Sequence, residues 1–278
     1  APLTTHVLQL LNMQFVAGRH HIDAVIIAAG DTITSNDTIH RDFSVRFCGT
    51  YSIGNGAEAD YSSITEVVDT LNAVGVGAPV VFNLAAGNYN EKIYLHDVIG
   101  SSATNTISFV GESDSTTLLT AATASGTNYV MKLDNVANVT FSKVGILSRP
   151  TSGSYSNVIV ASNISDRLAI ENCLVRVKGS VTNVNGSCVV LEGNVAGLTI
   201  QNSWIDSGWY SVRYTGNNIN YRNVLFNTNR ITNFAKAGIF LRGVENIEIT
   251  KTDLISSRSD NTRGLQGISL TDVTGTFT

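Results

Sequence analysis

The fold of this chain is decided by the phrase Val139-Thr-Phe141 and its later copies. The copies are Leu168-Ala-Ile170, Leu198-Thr-Ile200, Ile219-Asn-Tyr221, Ile247-Glu-Ile249 and Thr276-Phe-Thr278, and successive copies begin 29, 30, 21, 28 and 29 residues apart. A repeat of this period is typical of a solenoid. Most copies place bulky apolar side chains on both sides of a small or polar one, which predicts a strand with one buried face.

Two further apolar segments accompany the phrases. One precedes the phrase, at Val158–Val160, Cys188–Leu191, Val212–Tyr214, Gly238–Leu241 and Gly267–Leu270, and one follows it, at Leu174–Val175, Trp204–Ile205, Leu225–Phe226 and Leu254–Ile255. Three short strands per repeat without a helix between them predict a parallel β-helix. It has about eight coils when Val80–Phe82 and Ile107–Phe109 are counted as the first two. A leucine-rich repeat would need a shorter period, and a propeller blade would need four antiparallel strands.

Asn172, Asn202 and Asn223 each stand three residues after the middle of a phrase. Stacked asparagines in a tight turn can hydrogen-bond from coil to coil, so we expect a structural ladder. An asparagine-lined ligand site is the alternative, which we disfavour because repeated positions usually serve the architecture.

Composition narrows the possible partners. The chain has 278 residues and a formal net charge of −4. The absence of a basic run argues against a nucleic-acid partner, and no apolar stretch is long enough for membrane insertion. The chain begins with Ala-Pro-Leu instead of Met, so we expect a processed protein or a piece of a longer one. Of the three cysteines, Cys173 and Cys188 are predicted to be small core residues; a reactive thiol is the alternative.

Residues 1–48 do not share the repeat. They predict three strands, at His6–Phe15, His20–Ala28 and Thr38–Cys48, and the apolar alternation in the last two predicts a half-buried antiparallel hairpin. The loop of this hairpin contains Asp31, Asn36 and Asp37, whose oxygens could bind Ca²⁺, the one cofactor that the sequence suggests. We favour the alternative, a capped turn without a metal.

One helix is expected. Ser63 and Glu66 form a capping box, Gly75 ends the helix, and the apolar stripe consists of Ile64, Val67, Val68 and Leu71. We expect this helix to cover the apolar end of the first coil, because solenoid ends need capping.

Several segments resemble known families. Asp60-Tyr-Ser-Ser-Ile64, Val80-Val-Phe-Asn-Leu84 and Gly87-Asn-Tyr-Asn-Glu-Lys-Ile93 are similar to the first segment of pectin-lyase-like right-handed β-helix proteins, including pectin methylesterases. Tyr51-Ser-Ile-Gly54, Leu71-Asn-Ala-Val-Gly75 and Asn128-Tyr-Val130 resemble large secreted β-helix proteins of Bacteroidota, exported by the type IX system. Residues 1–48 resemble the closing strands of an immunoglobulin-like module called CARDB. The resemblance implies terminal strands of a β-sandwich in 1–48, a right-handed β-helix in 49–278 that continues beyond the last residue, and a secreted, cell-surface location.

The motifs of catalysis do not accompany this resemblance. Pectin methylesterases carry Gln-Asp-Thr-Leu, Asp-Phe-Ile-Phe-Gly and Leu-Gly-Arg-Pro-Trp, and none of these occurs here. Glycosidases need two neighbouring carboxylates. The carboxylates of the repeat are instead scattered over the coils, at Asp166, Glu171, Asp206, Glu245, Glu248 and Asp253. The sequence therefore assigns no catalytic residue.

Both tryptophans fall in the shortest repeat, between residues 203 and 223. Aromatic faces pack against sugar rings and Arg binds hydroxyl groups, so Trp209, Tyr210, Arg213 and Tyr214 are candidate glycan-binding residues. The alternative, which we favour, is that the aromatic side chains fill a narrowed coil. Trp209 and Tyr210, in a turn, are the two expected to be exposed.

Two functions remain. We favour a non-catalytic adhesin or glycan-contacting rod that, together with other domains, forms a longer chain. Short side chains would form an outward row on this rod, at Thr140, Ala169, Thr199, Asn220 and Glu248. The alternative is a polysaccharide-active lyase, esterase or hydrolase with its site in a lateral groove, and an assay for reaction products would separate the two because fold alone does not carry chemistry.

Overall fold

The structure, a computed structural model, describes residues 13–27, 30, 32, 35, 37–151, 153–179, 181–215, 222–256 and 264–278. These residues form one helix, α1 (Ile64–Val74), and 25 strands. The strands are β1 (Gly18–Val25), β2 (Thr38–Val45), β3 (Phe47–Ile53), β4 (Val76–Leu84), β5 (Gly87–Tyr89), β6 (Ile93–His96), β7 (Ile107–Gly111), β8 (Thr117–Thr123), β9 (Met131–Asp134), β10 (Val139–Ser142), β11 (Gly145–Pro150), β12 (Ile159–Ile164), β13 (Leu168–Glu171), β14 (Leu174–Val177), β15 (Val189–Val195), β16 (Leu198–Gln201), β17 (Trp204–Asp206), β18 (Tyr210–Thr215), β19 (Arg222–Asn227), β20 (Arg230–Thr232), β21 (Ala237–Arg242), β22 (Glu245–Thr250), β23 (Asp253–Ile255), β24 (Gln266–Thr271) and β25 (Thr274–Phe277).

Strands β4 to β24 wind into a parallel β-solenoid, as predicted. Each turn gives one strand to each of three sheets. Sheet 1 has the order β25-β22-β19-β16-β13-β10-β7-β4-β3, sheet 2 the order β23-β20-β17-β14-β11-β8-β5, and sheet 3 the order β24-β21-β18-β15-β12-β9-β6. Seven complete turns result, from β4–β6 to β22–β24, instead of the predicted eight or so.

The core lies inside the coil, where side chains at one position of successive turns stack. Val139, Leu168 and Leu198 are in register on neighbouring strands of sheet 1 and are almost completely buried. The ring of Phe109 lies between those of Phe82 and Phe141, at centroid distances of 5.1 and 5.2 Å. Burying each such side chain contributes about 1.5–3 kcal/mol relative to leaving it in water.

The turn between sheets 1 and 2 follows the predicted ladder only in part. Asn172 and Asn202 occupy equivalent positions with φ angles of 53° and 49°. This is a left-handed conformation that Asn tolerates. The backbone N–H of each donates to a carbonyl of the following turn at 3.0 Å. The next member of the stack is Thr228, with a φ of 56°, and not Asn223. The stack therefore rests on backbone hydrogen bonds and does not require Asn at each step.

The prediction for the shortest repeat is wrong in its phase. Ile219-Asn-Tyr221 lies outside the described residues. In this turn the strand of sheet 1 is β19, in which Val224 and Phe226 are in register with Leu198 and Ile200. The segment Leu225–Phe226 thus belongs to sheet 1, and β20 is the strand of sheet 2.

Helix α1 packs across the end of the coil, as predicted. Val67 and Leu71 are fully buried. Ser63 Oγ accepts a hydrogen bond from the Glu66 backbone N–H at 3.1 Å. The Glu66 carboxylate, however, accepts from the backbone of Ser62 and not of Ser63, so the capping box is displaced by one residue.

A second acidic residue completes the helix N-terminus. The Glu91 carboxylate accepts hydrogen bonds from the Thr65 N–H and hydroxyl, both at 2.6 Å. A negative charge at this end is favoured by the helix dipole. Glu91 comes from the turn after β5, so this contact ties the helix to the first coil.

Strands β1 and β2 form the predicted antiparallel hairpin. The apolar side chains of its predicted buried face are more exposed than predicted, with Ile26 at 64% and Ile39 at 54% of their full exposure. The first predicted strand, His6–Phe15, lies mostly outside the described residues. Strand β3 begins at Phe47 and pairs with β4, so sheet 1 starts just before the predicted domain boundary.

The predicted calcium site stays a prediction. Asp31 and Asn36 lie outside the described residues, and the backbone carbonyl of Asp37 accepts a hydrogen bond from the Ile26 N–H at 2.9 Å.

The cysteines differ in exposure. Cys173 and Cys188 are fully buried, as predicted, whereas Cys48 is exposed. Burial raises the pKa of the Cys173 thiol to about 12 and also raises the pKa of Cys188. The described part of the chain has no helix of the length and hydropathy that crossing a bilayer requires.

Candidate functional site

A groove of about 380 Å³ lies on the outer face of sheet 1. Its floor includes the outward side chains of Thr199, Leu225 and Glu248, which are in register on β16, β19 and β22. Its rim includes Asp166, Arg167, Ala196 and Gly197 from the turns that lead into β13 and β16, and Asn223 and Asn246 from the starts of β19 and β22. Because the groove crosses the strands, it follows the solenoid axis, and its side chains recur at one strand spacing of about 4.8 Å.

Three charged side chains line this groove. Asp166 is half-buried, and its Oδ2 accepts a hydrogen bond from Asn138 Nδ2 at 2.5 Å. Arg167 and Glu248 are exposed, and neither forms an ion pair with any described residue. Asp166 precedes β13 and Glu248 lies on β22, three strands further on. Three strand spacings put the two carboxylates about 14 Å apart along the axis.

This separation excludes one mechanism for the two groove carboxylates. The acid and base of glycosidases stand within about 9.5 Å of one another. Asp166 and Glu248 are too far apart for such a pair, in agreement with the scattered carboxylates of the sequence.

The predicted outward row is present on the first strands of the repeat. Thr140, Ala169 and Thr199 are in register on β10, β13 and β16. Asn220 lies outside the described residues, and the next position of the row belongs to Leu225. Ala169 is fully buried and Thr199 is 9% exposed, so the part of the row that is accessible to solvent lies mainly at Glu248.

The structure separates the four predicted glycan-binding residues. Tyr214 is fully buried in the core, so its prediction as a glycan contact is wrong. Tyr214 stands two residues after Val212 on the same strand, so both side chains point into the coil. This alternation in the sequence could have indicated that Tyr214 is a core residue. Trp209, which was predicted to be exposed, is instead half-buried and packs against the core. Tyr210 is also half-buried, and its ring lies 4.8 Å from that of Phe240.

Arg213 projects from the outer face of sheet 3, between the inward-facing side chains of Val212 and Tyr214. Its Nη2 lies 3.8 Å from Glu192 Oε1. Its Nε is buried without a hydrogen-bond partner among the described residues. Desolvation lowers the pKa of the guanidinium, and the Glu192 carboxylate opposes this effect. Arg213 therefore has unused hydrogen-bonding capacity.

A buried ion pair on sheet 2 was not among the predictions. Asp206 is 8% exposed. Its carboxylate accepts hydrogen bonds from Arg176 Nε at 2.7 Å, Thr232 Oγ1 at 2.6 Å and Asn233 Nδ2 at 2.8 Å. Arg176 and Asp206 are in register on adjacent turns, so an alignment of the repeats would have placed them together.

Trp204 belongs to the same network. Its Nε1 donates to Thr232 Oγ1 at 2.8 Å, and the guanidinium carbons of Arg176 and Arg230 lie 4.7 and 5.2 Å from its ring centroid. Since donors surround the carboxylate and guanidinium groups lie over the indole, this network offers neither a free acid nor an open aromatic face.

Comparison with known proteins finds distant structural neighbours. No family model matches the chain, and no curated protein matches its sequence. The chain is similar in structure to pectin methylesterase PemA from Erwinia chrysanthemi, with a TM-score of 0.49 and 12% identity over 78% of this chain and 68% of that one. For pectin methylesterase from Aspergillus niger the TM-score is 0.44, with 13% identity over 82% and 85% of the two chains. For the carrot enzyme it is 0.41, with 11% identity over 84% and 85%.

These likenesses concern the fold alone. The solved neighbours are pectin methylesterases. A Bacteroidota origin, type IX export and a CARDB-like module stay predictions.

Proposed function

We propose that this chain binds a polysaccharide in the groove of sheet 1. The observation that carries the proposal is the course of the groove, which crosses the strands and presents side chains to a ligand on each successive coil. A polymer with recurring hydroxyl groups can contact such a row at each step, whereas a compact ligand is bound better in an enclosed pocket. Thr199 and Asn223 supply hydrogen-bonding groups, and Leu225 supplies an apolar surface for a sugar ring.

The charges in the groove favour a neutral polysaccharide. Asp166 and Glu248 outnumber Arg167, and the whole chain carries a formal charge of −4. A polyanion would be repelled, and salt would screen the repulsion. We therefore expect tighter binding to neutral or methyl-esterified polymers than to de-esterified polygalacturonate, with a difference that shrinks as salt is added.

Affinity electrophoresis against neutral, esterified and de-esterified polysaccharides tests this proposal. Replacing Arg167 and Glu248 together by Ala should weaken binding at least about tenfold, because hydrogen bonds to charged groups contribute about 1.5–3 kcal/mol each. The matched control replaces Arg242 and Glu58, which are exposed and lie outside the groove. Equal affinities of the groove variant and the control variant would overturn the proposal.

Tyr210 and Arg213 remain proposed contacts for a glycan on sheet 3. Their support is the aromatic pair of Tyr210 with Phe240 and the Arg213 side chain, which is 18% exposed and whose Nη2 lies 3.8 Å from Glu192. Replacing Tyr210 by Ala should reduce glycan retention, whereas replacing Trp209, which packs against the core, should mainly reduce thermal stability. An equal loss of stability in the two variants would instead assign both rings to the core.

A second candidate function is that of a polysaccharide-active enzyme, an esterase or a lyase. The unpaired carboxylate of Glu248 and the unpaired guanidinium of Arg167 in one groove favour it. Methyl-esterified pectin is the first substrate to test, with methanol release as the sign of an esterase and unsaturated ends as the sign of a lyase. Product formation that Glu248→Gln abolishes would establish the enzyme, and binding without any product would establish the rod.

We also propose that the protein is secreted and displayed at a cell surface as one part of a longer chain, which rests on the sequence resemblance. Immunoblotting of cell fractions tests this location. Recovery of the protein from the cytoplasm alone would contradict it.

A further inference from the structure

One face of the β1–β2 hairpin carries four side chains of the kinds that bind transition metals. His21 stands opposite Asp42, and Asp23 stands opposite His40, in the antiparallel register. Alternate residues of a strand share a face, and directly opposed residues of an antiparallel pair have Cβ atoms about 5 Å apart. The four side chains therefore form a square in which His and Asp alternate.

Three of these side chains converge on a single oxygen atom. His21 Nε2 lies 2.5 Å and His40 Nδ1 lies 2.6 Å from Asp23 Oδ1. The rings of His21 and His40 are stacked, at a centroid distance of 5.7 Å. One ligand atom from each of the three residues lies within 4.8 Å of the other two. Small side-chain rotations would place all three atoms about 2.0–2.2 Å from one ion, and two imidazoles with one carboxylate are a frequent three-ligand set for Zn²⁺.

The fourth residue occupies the place of an orienting group. His21 Nδ1 lies 2.5 Å from Asp42 Oδ1, on the opposite side of the imidazole ring from Nε2. Metal-bound histidines commonly donate their second N–H to a carboxylate, which fixes the ring and raises its basicity. Asp42 therefore holds His21 with Nε2 directed at Asp23 Oδ1, so that an ion can bind between these two atoms.

We propose that His21, Asp23 and His40 bind Zn²⁺ or another divalent first-row metal, with Asp42 as the partner that orients His21. The side chains of the three ligands are 51%, 49% and 64% exposed, so an ion can reach them from solvent and one coordination position remains open. Nitrogen donors favour Zn²⁺, Co²⁺ or Ni²⁺ over Ca²⁺ and Mg²⁺, which prefer oxygen. This site is distinct from the predicted calcium loop and independent of the sugar groove.

Titration of the tag-free, metal-free chain with Zn²⁺ by calorimetry, and with Co²⁺ by visible absorption, tests the site. We expect one ion per chain, ligand-field bands of Co²⁺ that Zn²⁺ displaces, and no binding of Mg²⁺ at the same concentrations. His21→Ala and His40→Ala should remove binding, and Asp42→Asn should weaken it about 10- to 100-fold.

Two further variants make the result decisive. Asp23→Asn keeps the shape of the side chain, so it should leave the hairpin intact and still remove binding. Loss of binding in this variant would show that a missing ligand, and not a damaged hairpin, explains the loss. His96→Ala is the matched control, because His96 forms an exposed pair with Asp97 elsewhere and should bind as the wild type does. Absence of Zn²⁺ binding in the wild type, or wild-type affinity in any ligand variant, would overturn the site. An unchanged affinity in Asp42→Asn would overturn the role of Asp42.

Discussion

The Asp206 network allows a quantitative test of which carboxylates stabilise the coil and which are free to meet a ligand. In Arg176→Ala the Asp206 carboxylate keeps Thr232 and Asn233 as donors but loses its counter-charge. The Asp206 side chain is 11% exposed, so little water can replace the guanidinium. Breaking a buried pair costs about 3–5 kcal/mol. Because the Arg176 side chain is 29% exposed, we expect the lower end, about 3 kcal/mol.

Urea unfolding followed by both circular dichroism and fluorescence measures this loss. Arg242→Ala is the control, since its pair with Asp272 is 3.3 Å long and more than half exposed on both sides. Such a surface pair contributes less than about 1 kcal/mol. The single variant Asp206→Ala and the double variant Arg176→Ala/Asp206→Ala complete a mutant cycle that isolates the coupling energy of the pair. If Arg176→Ala loses no more stability than Arg242→Ala, the network does not stabilise the coil and Asp206 returns as a candidate functional acid.

Three further predictions concern single groups. In the native protein only Cys48 should react with a thiol reagent, and labelling of either core cysteine at a similar rate would contradict the packing. Glu91→Ala should lower the free energy of unfolding by about 1 kcal/mol in urea unfolding, as the loss of a helix cap does, while Thr65→Ser should have a smaller effect; equal effects would argue against the cap. Hydrogen bonds from the Ser52 N–H and hydroxyl lower the pKa of Asp60. Their stabilisation is present above the unfolded pKa and is lost as pH falls through the folded one; a carboxyl NMR titration of Asp60 with a midpoint at or above its ordinary value would refute this.

The strands of the solenoid were predictable because a buried face imposes a period of two on the sequence. The phrase at Val139, Leu168 and Leu198 marks sheet 1 directly, and the register follows from stacking like positions. The predicted strand position was wrong at Ile219-Asn-Tyr221, a similar apolar alternation that stands a few residues before Val224–Phe226 of β19. Periodicity alone cannot decide which of two adjacent apolar triplets enters the sheet.

The groove and the ion pair were harder to predict, since both depend on side chains outside the buried rows. Asp166 and Arg167 belong to a turn, and turns are not constrained by the alternation of the strands. Arg176 and Asp206 face outward on adjacent turns, and their pairing becomes visible only when the repeats are aligned. The metal-ligand square on β1–β2 needs the register of a hairpin, which a sequence without a tight turn signal does not fix.

Mapping of amide chemical shifts, during titration with a neutral polysaccharide that binds in affinity electrophoresis, tests the proposed function most directly. The account predicts that the largest shifts fall on residues 166–167, 196–197, 199, 223–225 and 246–248, which line the groove of sheet 1. Shifts confined to the aromatic surface around Tyr210, or no shifts at saturating polysaccharide, would contradict it.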